Sequence, residues 1–224
     1  MAHSLLTRLV SWAFERFYHE GAWTYDTVAW LVSRGYWSAW IAVVLPELHD
    51  EPVLELGCGT GYLQRGRLHS PQLTIGLDES ASMLARARDK LRRAGAEGRL
   101  VRAVAQRLPF GDRSWPNVVA TFPAPYLFDP ATLAEIGRVM APGGRLLIVD
   151  GGVLPAGPYQ RVIAAIYRWV LGAESGAADP VGNAGDRRVE RLEQLGFAVR
   201  SEWRTVGRSQ VQVLTCGVAD GWHR

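Results

Sequence analysis

A glycine-rich segment directly after an apolar run is the part of this sequence best suited to bind a nucleotide-like ligand. Residues 53–61 read Val-Leu-Glu-Leu-Gly-Cys-Gly-Thr-Gly, so Gly57, Gly59 and Gly61 follow a short apolar run. Glycines allow the backbone to turn sharply and to touch a ligand with no Cβ in between. Ligands of open α/β sheets bind at the carboxyl ends of strands. The segment therefore predicts a ligand site at the end of a first strand.

The carboxylate of Glu55, two residues before the first glycine, indicates the charge of the ligand. A nicotinamide-dinucleotide fingerprint reads Gly-x-Gly-x-x-Gly, whereas Gly61 comes one residue early here and Tyr62 takes the required place. A carboxylate would repel a diphosphate, but it suits a cation such as the amino group of S-adenosylmethionine (SAM). We therefore expect SAM, with a nicotinamide oxidoreductase as an alternative.

A second acidic residue follows the next predicted strand. Asp78 lies about 20 residues past the glycine loop, the separation at which an acid accepts hydrogen bonds from ribose hydroxyls. Leu77 and Met83 are placed to flank an adenine. In the alternative interpretation Asp78 only caps the helix that follows.

These residues lie in a stretch where predicted strands and helices alternate. Strands are predicted at 52–56, 73–77, 100–104, 117–122 and 145–149, with helices from near Thr60, at 80–94 and at 131–140. Ser80 is a plausible N-cap and Gly95 a stop, and residues 142–144 would stop the third helix. Such alternation implies a parallel sheet. A helix at 187–195 and an antiparallel pair, 197–205 and 210–218, are predicted at the sheet edge.

Four segments carry a more specific pattern. They are Glu-Leu-Gly-Cys-Gly-Thr-Gly from Glu55, Gly-Leu-Asp-x-Ser-x-x-Met-Leu from Gly76, Leu-Pro-Phe from Leu108 and Val-Met-Ala-Pro-Gly-Gly-Arg-Leu from Val139. Together they resemble the class I SAM-dependent methyltransferases of the small-molecule "type 11" group. The resemblance covers residues 50–150. It implies a Rossmann-like α/β fold with a seven-stranded sheet and a reversed last strand, SAM as the cofactor, and a small-molecule or lipid acceptor (quinone-like ring, phenol or phospholipid amine).

The resemblance also implies which positions contact SAM. Glu55, Gly57 and Gly59 would hold the methionine part and Asp78 the ribose. Val104 departs from the family, because members often have an adenine-binding Asp there. The cofactor-binding positions implied in full are Glu55, Gly57, Cys58, Gly59, Gly61, Asp78, Glu79, Met83, Ala105, Gln106, Thr121 and Phe122.

Three residues are candidates for a catalytic role. Methyl transfer is an in-line displacement that needs a positioned nucleophile and a dry pocket more than acid-base groups. Tyr25 and Tyr126 could stabilise the sulfonium with their rings, and His19 could act as a general base. Tyr25-Asp26 resembles the Tyr-Asp pair of a helical lid in quinone-ring and phospholipid methyltransferases. The alternatives are a packed Tyr25 and a surface His19.

Composition divides the chain into a helical N-terminal lid, 1–48, and a SAM-binding domain, 49–224, with an insertion at 151–185. The first zone holds five of the nine Trp, with breaks near Gly21 and Gly35. It is interpreted as a lid, as an interfacial helix pair at a membrane surface, or as a dimer contact. The insertion predicts a helix at 159–171, whose Tyr159, Tyr167 and Trp169 form a pocket wall or pack in the core, and a mobile loop at 174–185.

Bulk properties exclude several classes of protein. The 224 residues suit one domain with additions, and the scattered Arg residues behind a net charge of +3 argue against a nucleic-acid partner. Two Cys predict reduced thiols in a cytoplasmic protein. No metal-ligand spacing is visible. No apolar run reaches the length of about 18 residues that a membrane-spanning helix needs. We expect a monomer or homodimer. An RNA or protein methyltransferase, or a SAM-binding protein without activity, are the alternatives.

Overall fold

The computed structural model describes residues 22–48, 51–171 and 183–218. His19, Gly21 and most of the predicted mobile loop at 174–185 lie outside these ranges. In chain order the elements are α1 (Ala22–Val32), α2 (Trp37–Ala42), a 3₁₀ turn (Leu45–Glu47), β1 (Val53–Leu56), α3 (Tyr62–Gly66), β2 (Thr74–Asp78), α4 (Ala81–Arg93), β3 (Arg99–Arg102), β4 (Trp115–Thr121), a 3₁₀ turn (Pro125–Phe128), α5 (Pro130–Val139), β5 (Met140–Val153), α6 (Pro158–Leu171), α7 (Asn183–Gln194), β6 (Phe197–Val206) and β7 (Ser209–Val218).

The seven strands form one sheet in the order β3-β2-β1-β4-β5-β7-β6. The pairs from β3 to β5 are parallel, and β7 lies antiparallel between β5 and β6. This confirms the seven-stranded α/β sheet with a reversed last strand. The order reverses direction at β1 and β4, and ligands of open α/β sheets bind outside the strand ends at such a switch point.

The strands at the switch point are apolar because both of their faces are covered. All four residues of β1 are buried, and the buried core includes Val118, Val119 and Ala120 of β4. One cluster of buried side chains lies on each side of the sheet, and α2 contributes Trp40 and Ile41 to one of them. A strand buried on both faces has a near-continuous apolar sequence, and this explains why the run at 53–56 was recognisable.

The junction between α5 and β5 differs from the prediction. We expected a helix through Met140, a turn at 142–144 and a strand at 145–149. Instead α5 ends at Val139, and β5 begins at Met140 and continues to Val153. The reason is tertiary pairing, because Met140 pairs with Trp115 of β4 before a register shift. Gly143, with φ +72°, supplies the left-handed backbone that the shift needs.

Other helix boundaries fall at the capping and glycine residues that the sequence predicted. Ser80 is the N-cap of α4 and its side chain accepts a hydrogen bond from the Met83 N–H. Gly95 and Gly35 both have positive φ where a helix was predicted to break. The predicted division at residue 48 into a lid and a cofactor domain stays a prediction.

Polar contacts fix the N-terminal helices to the antiparallel strands β6 and β7 at the edge of the sheet. The Trp40 indole donates to the Ser209 hydroxyl at 2.9 Å, and Arg204 donates to the Val43 carbonyl at 2.9 Å. No single described helix is long and apolar enough to span a membrane, although Tyr25–Val32 and Trp37–Glu47 together reach that length and apolarity across an 86° bend.

Candidate functional site

Glu55 lies on the floor of a crevice where β1 ends. The strand places its side chain in the protein interior, where Gln64 of α3 donates to one carboxylate oxygen at 2.7 Å. The Thr121 hydroxyl, at the end of β4, donates to the other oxygen at 3.1 Å. The two neighbouring strands and α3 therefore fix the carboxylate from both sides.

The environment of Glu55 opposes its ionisation. The pKa of this carboxyl is raised from 4.5 to about 8, mainly by burial; the hydrogen bonds from Gln64 and Thr121 oppose the rise, and the nearby charge of Asp78 adds to it. A buried carboxylate without a cationic partner is costly, so a ligand that brings a positive charge to this position would be favoured.

The glycine loop is held against the end of β2. Gly57, Gly59 and Gly61 have φ of +66°, +51° and +78°, which are strained for any residue with a Cβ. The Gly59 N–H donates to Asp78 Oδ2 at 2.9 Å, and a Cβ on Gly59 would meet no atom within 4 Å. The loop therefore presents bare backbone to open space beside the Asp78 carboxylate.

Asp78 is not the helix cap, because Ser80 fills that role. The Oδ1 atom of Asp78 accepts from the Ser80 N–H at 2.8 Å, so the side chain is oriented by both the loop and the start of α4. Cys58, within the glycine loop, is buried, and burial raises the pKa of its thiol. Both predicted features of this corner, the glycine loop and the acid, lie together in space.

An aromatic layer covers the crevice on the side of α1 and α2. The Trp37 ring stacks on Phe122 with centroids 4.2 Å apart, and Tyr25 meets Trp37 edge-on at 6.2 Å. Phe122, directly after β4, has φ +47°, a strained conformation for a bulky residue. Strain of this kind persists where the surrounding structure imposes it and is concentrated at functional sites.

A charged group fixes α1 to the glycine loop. Asp26 accepts from the Thr60 hydroxyl at 2.6 Å and pairs with Lys90 of α4 at 2.8 Å. The Lys90 ammonium also donates to the Thr60 hydroxyl at 2.9 Å and lies 3.8 Å from the centroid of the Tyr62 ring. We call Asp26, Thr60 and Lys90 the lid contact.

Tyr126 contacts the glycine loop from the 3₁₀ turn that follows β4. Its hydroxyl lies so close to Gly57 that a Cβ there would overlap it, and the ring carbon Cζ would be 3.3 Å away. The hydroxyl is buried and has no hydrogen-bonding partner among the residues that the structure describes. Burial raises the pKa of Tyr126, and the charges of Asp78 and Glu55 add to the rise.

The positions assigned to the adenine are more open. Glu79 and Gln106 are exposed, and Val104 is 44% exposed although it is apolar. Met83 and Ala105 are buried. An exposed Val at the position of the usual adenine-binding Asp supplies no hydrogen bond, so contacts to the base must come from other groups.

The crevice has the chemistry that SAM requires but little space. Its floor offers Glu55 to a cationic amino group and Asp78 to sugar hydroxyls, and Gly59 leaves its backbone uncovered. The cavity between the glycine loop and the aromatic layer measures only about 20 Å³, room for about one water molecule. The residues therefore fit the cofactor once the side chains above the loop move.

Sequence reasoning did not identify several of these residues as parts of the site. Thr60 lies inside the glycine motif, and Gln64 follows one helical turn later, so their positions were a usable signal. Lys90 lies among several Arg residues on the helix predicted at 80–94, and nothing in the sequence separates it from its neighbours. Trp37 was counted only within a Trp-rich zone. His19 lies outside the described residues.

Helix α6 lies beside α1, and its role as a pocket wall stays a prediction. The Tyr159 hydroxyl donates to the Leu31 carbonyl, and the Arg34 guanidinium lies 5.4 Å from the Tyr159 ring centroid. Arg188 of α7 pairs with Asp150 of β5 and lies near Phe128. The side chains of Tyr167 and Trp169 are outside the description.

Comparison with known proteins places this arrangement in context. A family model described as a methyltransferase domain matches residues 53–144. The demethylmenaquinone methyltransferase of Thermus thermophilus is 30% identical over 84% of this chain and 94% of its own length. The phosphatidylethanolamine N-methyltransferase of Cereibacter sphaeroides is 36% identical over 63% of this chain and 71% of its own. Other quinone-methylating relatives are longer, and the chain spans 55% to 65% of their lengths.

A solved structure shows the same fold at low sequence identity. The magnesium protoporphyrin IX methyltransferase of Synechocystis, solved with bound S-adenosylhomocysteine (SAH), superposes with a TM-score of 0.61 at 16% identity. The match covers 94% of this chain and 99% of that one.

Proposed function

Because this chain belongs to the class I SAM-dependent methyltransferases, we propose that it methylates an apolar small molecule or a lipid headgroup. The observation that supports this most directly is the convergence of Glu55, the glycine loop and Asp78 on one crevice at the switch point of the sheet. When bound, SAM supplies a methyl group on a positively charged sulfur, and an acceptor nucleophile takes it by in-line displacement.

The chain's own residues bind and orient rather than transfer protons. Glu55 would meet the amino group of the methionine part and Asp78 the ribose hydroxyls. The aromatic rings of Tyr25, Trp37 and Phe122 exclude water and offer π faces to a sulfonium, each worth about 1–2 kcal/mol when desolvated. His19 as a general base stays a prediction.

The acceptor side favours an apolar or cationic acceptor. The aromatic layer borders the crevice, and α6 contacts α1 through the hydrogen bond from the Tyr159 hydroxyl to the Leu31 carbonyl. The two relatives above are named for acceptors that fit such walls, a quinone ring and a phospholipid amine. Both acceptors are found in membranes, so we include both within the proposal.

Contact with a membrane surface follows from the same helices. On α1, Trp30 is 61% and Leu31 52% exposed, and Val162 on α6 is 57% exposed. The segments 27–46 and 151–173 contain no acidic residue and carry Arg34, Arg161 and Arg168. Exposed Trp and Leu flanked by Arg suit the interface of an anionic bilayer. We therefore propose a cytoplasmic protein that works at a membrane surface, as a monomer or homodimer.

Titration calorimetry with SAM and SAH tests the cofactor assignment. We expect both to bind, and Asp78→Ala to weaken SAH binding by about 10–100-fold because a hydrogen bond to a charged group is lost. Asp89→Ala, on the exposed face of α4, is the matched control and should bind as the unmodified chain does. Absence of heat with both ligands would contradict the proposal, and unchanged binding by Asp78→Ala would contradict the ribose contact.

A methyl-labelling screen tests the acceptor class. Radiolabelled SAM is incubated with the protein and with quinone, phenol, phospholipid, RNA and protein pools in separate reactions. We expect label in an apolar small-molecule or lipid pool. Label in RNA or protein alone would favour the alternative acceptor classes, and cofactor binding without label in any pool would indicate an inactive SAM-binding protein.

A further inference from the structure

Tyr126 lies directly against the glycine loop that would hold the proposed cofactor. Gly57 is the first glycine of the loop, and a Cβ at this position would overlap the tyrosine hydroxyl and lie 3.3 Å from the ring carbon Cζ. The ring also lies near Asp78 and Glu55, since the charges of both raise its pKa. A ligand that reaches both carboxylates across Gly57 cannot be bound while the ring stays there.

The hydroxyl of Tyr126 is at an energetic disadvantage in this position. It is buried, and no described residue offers it a hydrogen bond. An unsatisfied buried hydroxyl loses its bonds to water without replacement, a penalty on the order of tenfold in an equilibrium constant. Native proteins retain few such groups, and each one calls for a functional explanation.

The position of Tyr126 in the chain allows the ring to leave. It lies on the 3₁₀ turn between β4 and α5, which is held by backbone hydrogen bonds from Leu127 to Ala124 and from Asp129 to Tyr126. Neither bond uses the tyrosine side chain, and no strand pairing involves the turn. A change of side-chain rotamer therefore requires no rearrangement of the sheet.

We propose that Tyr126 fills the cofactor crevice in the ligand-free protein and is displaced by SAM. The ring excludes water from the glycine loop when no cofactor is bound, and the unpartnered hydroxyl lowers the free energy needed to displace it. Once outside, the hydroxyl regains hydrogen bonds to water or to the acceptor. The inference rests on the proposed function, because it needs SAM as the displacing ligand.

Two substitutions separate the ring from its hydroxyl. Tyr126→Phe keeps the ring and removes the buried hydroxyl that lacks a hydrogen-bonding partner. The ligand-free variant should therefore melt about 2–4 °C higher than the unmodified chain. Because its ring is harder to displace, the variant should bind SAH about tenfold more weakly. Tyr126→Ala removes the ring, so no displacement is needed and SAH should bind more tightly than to the unmodified chain. Calorimetry with SAH and thermal unfolding without ligand measure both effects.

Tyr36→Phe, a lid tyrosine outside the crevice, is the matched control and should leave SAH affinity unchanged. If Tyr126→Phe shifts neither the melting temperature nor SAH affinity, the inference is wrong, and this variant is decisive even if Tyr126→Ala fails to fold. Weaker SAH binding by a folded Tyr126→Ala would show that the ring contacts bound cofactor instead. If the unmodified chain and every variant fail to bind SAH, the proposed function itself is wrong.

Discussion

Among the residues that the structure describes, Glu55 has two hydrogen-bond donors and no ion-pair partner. Gln64 and Thr121 stabilise its charged form, yet burial outweighs them and raises its pKa to about 8. Near neutral pH the ligand-free protein therefore holds a proton on this side chain, and a cationic ligand would favour its release. Glutamine has nearly the same size and shape as glutamate but cannot carry the negative charge.

Substitution of Glu55 by Gln should change how stability depends on pH. The folded protein keeps a proton on Glu55 between pH 4.5 and about 8 that the unfolded chain has lost. Stability from this group is thus fully present below pH 4.5 and is lost as pH rises through about 8. Relative to Glu55→Gln, the unmodified chain should lose up to about 1.4 kcal/mol per pH unit across that window.

Denaturant unfolding at a series of pH values measures this difference. A constant difference between the two proteins would contradict a raised pKa for Glu55. In the same variant, SAM affinity should fall, because an amide offers no charge to the ligand's amino group. Gln64→Glu is not a suitable control, since it would place a second carboxylate beside the first.

At the scale of elements, α1 is connected to the cofactor loop by charge as well as by packing. The lid contact joins Asp26 of α1 to Thr60 of the glycine loop and Lys90 of α4. Asp26 is 37% and Lys90 19% exposed, so solvent screens the pair in part and its contribution is modest. The contact nevertheless connects Tyr25, which directly precedes Asp26 in the chain, to the glycine loop of the proposed cofactor site.

Removal of the Asp26 charge should loosen α1 without unfolding the sheet. In Asp26→Asn, backbone amides of Ala22–Val32 should exchange with deuterium about threefold to fivefold faster, the change expected for a partly screened ion pair. Hydrogen-exchange mass spectrometry measures it, with Asp89→Asn as the control on α4. Equal exchange in both variants would show that aromatic packing alone holds α1, and high salt should reproduce part of the effect.

At the scale of the whole molecule, several of the exposed apolar side chains among the described residues lie on two helices that touch each other. Trp30 and Leu31 of α1 and Val162 of α6 lie on helices that contact each other through Tyr159. Under the membrane proposal, this surface would lie against the bilayer, and the protein would take up an apolar acceptor directly from it.

Vesicle sedimentation tests this surface on the complete chain. Binding should be stronger to phosphatidylcholine vesicles that contain phosphatidylglycerol than to phosphatidylcholine alone, because of Arg34 and Arg161. Trp30→Ser with Leu31→Ser should weaken binding at least about tenfold, since two apolar side chains lose their burial. Trp203→Ser, an exposed Trp on the edge strand β6, is the control.

Two other results would contradict the membrane proposal. Equal binding of all variants would show that this surface is not the contact. A dimer in solution that the double substitution dissociates would show that the surface pairs with a second copy. Calorimetry with SAH in the absence of vesicles should be unaffected by these substitutions, which separates surface contact from cofactor binding.

Much of the core was predictable from local sequence. The alternation of apolar runs and capped helices predicted the strands at the switch point. Ser80 begins a helix, and Gly35 and Gly95 follow helix ends with positive φ, as their residue types suggest. Local chemistry determines these features, because φ preferences and side-chain caps involve only neighbouring residues. The glycine loop and Asp78 could be predicted together for the same reason, since each follows a recognisable strand.

Tertiary structure decided what no short segment contains. The strand that begins at Met140 replaces an expected turn because pairing with β4 outweighs the local preference of Pro142 and Gly143. The contacts between Asp26 and Lys90, and between Tyr126 and Gly57, join residues that are far apart in sequence. Burial and charge at such places depend on which distant side chains meet, and this is also why the pKa of Glu55 and the unpartnered hydroxyl of Tyr126 could be identified only from the folded chain.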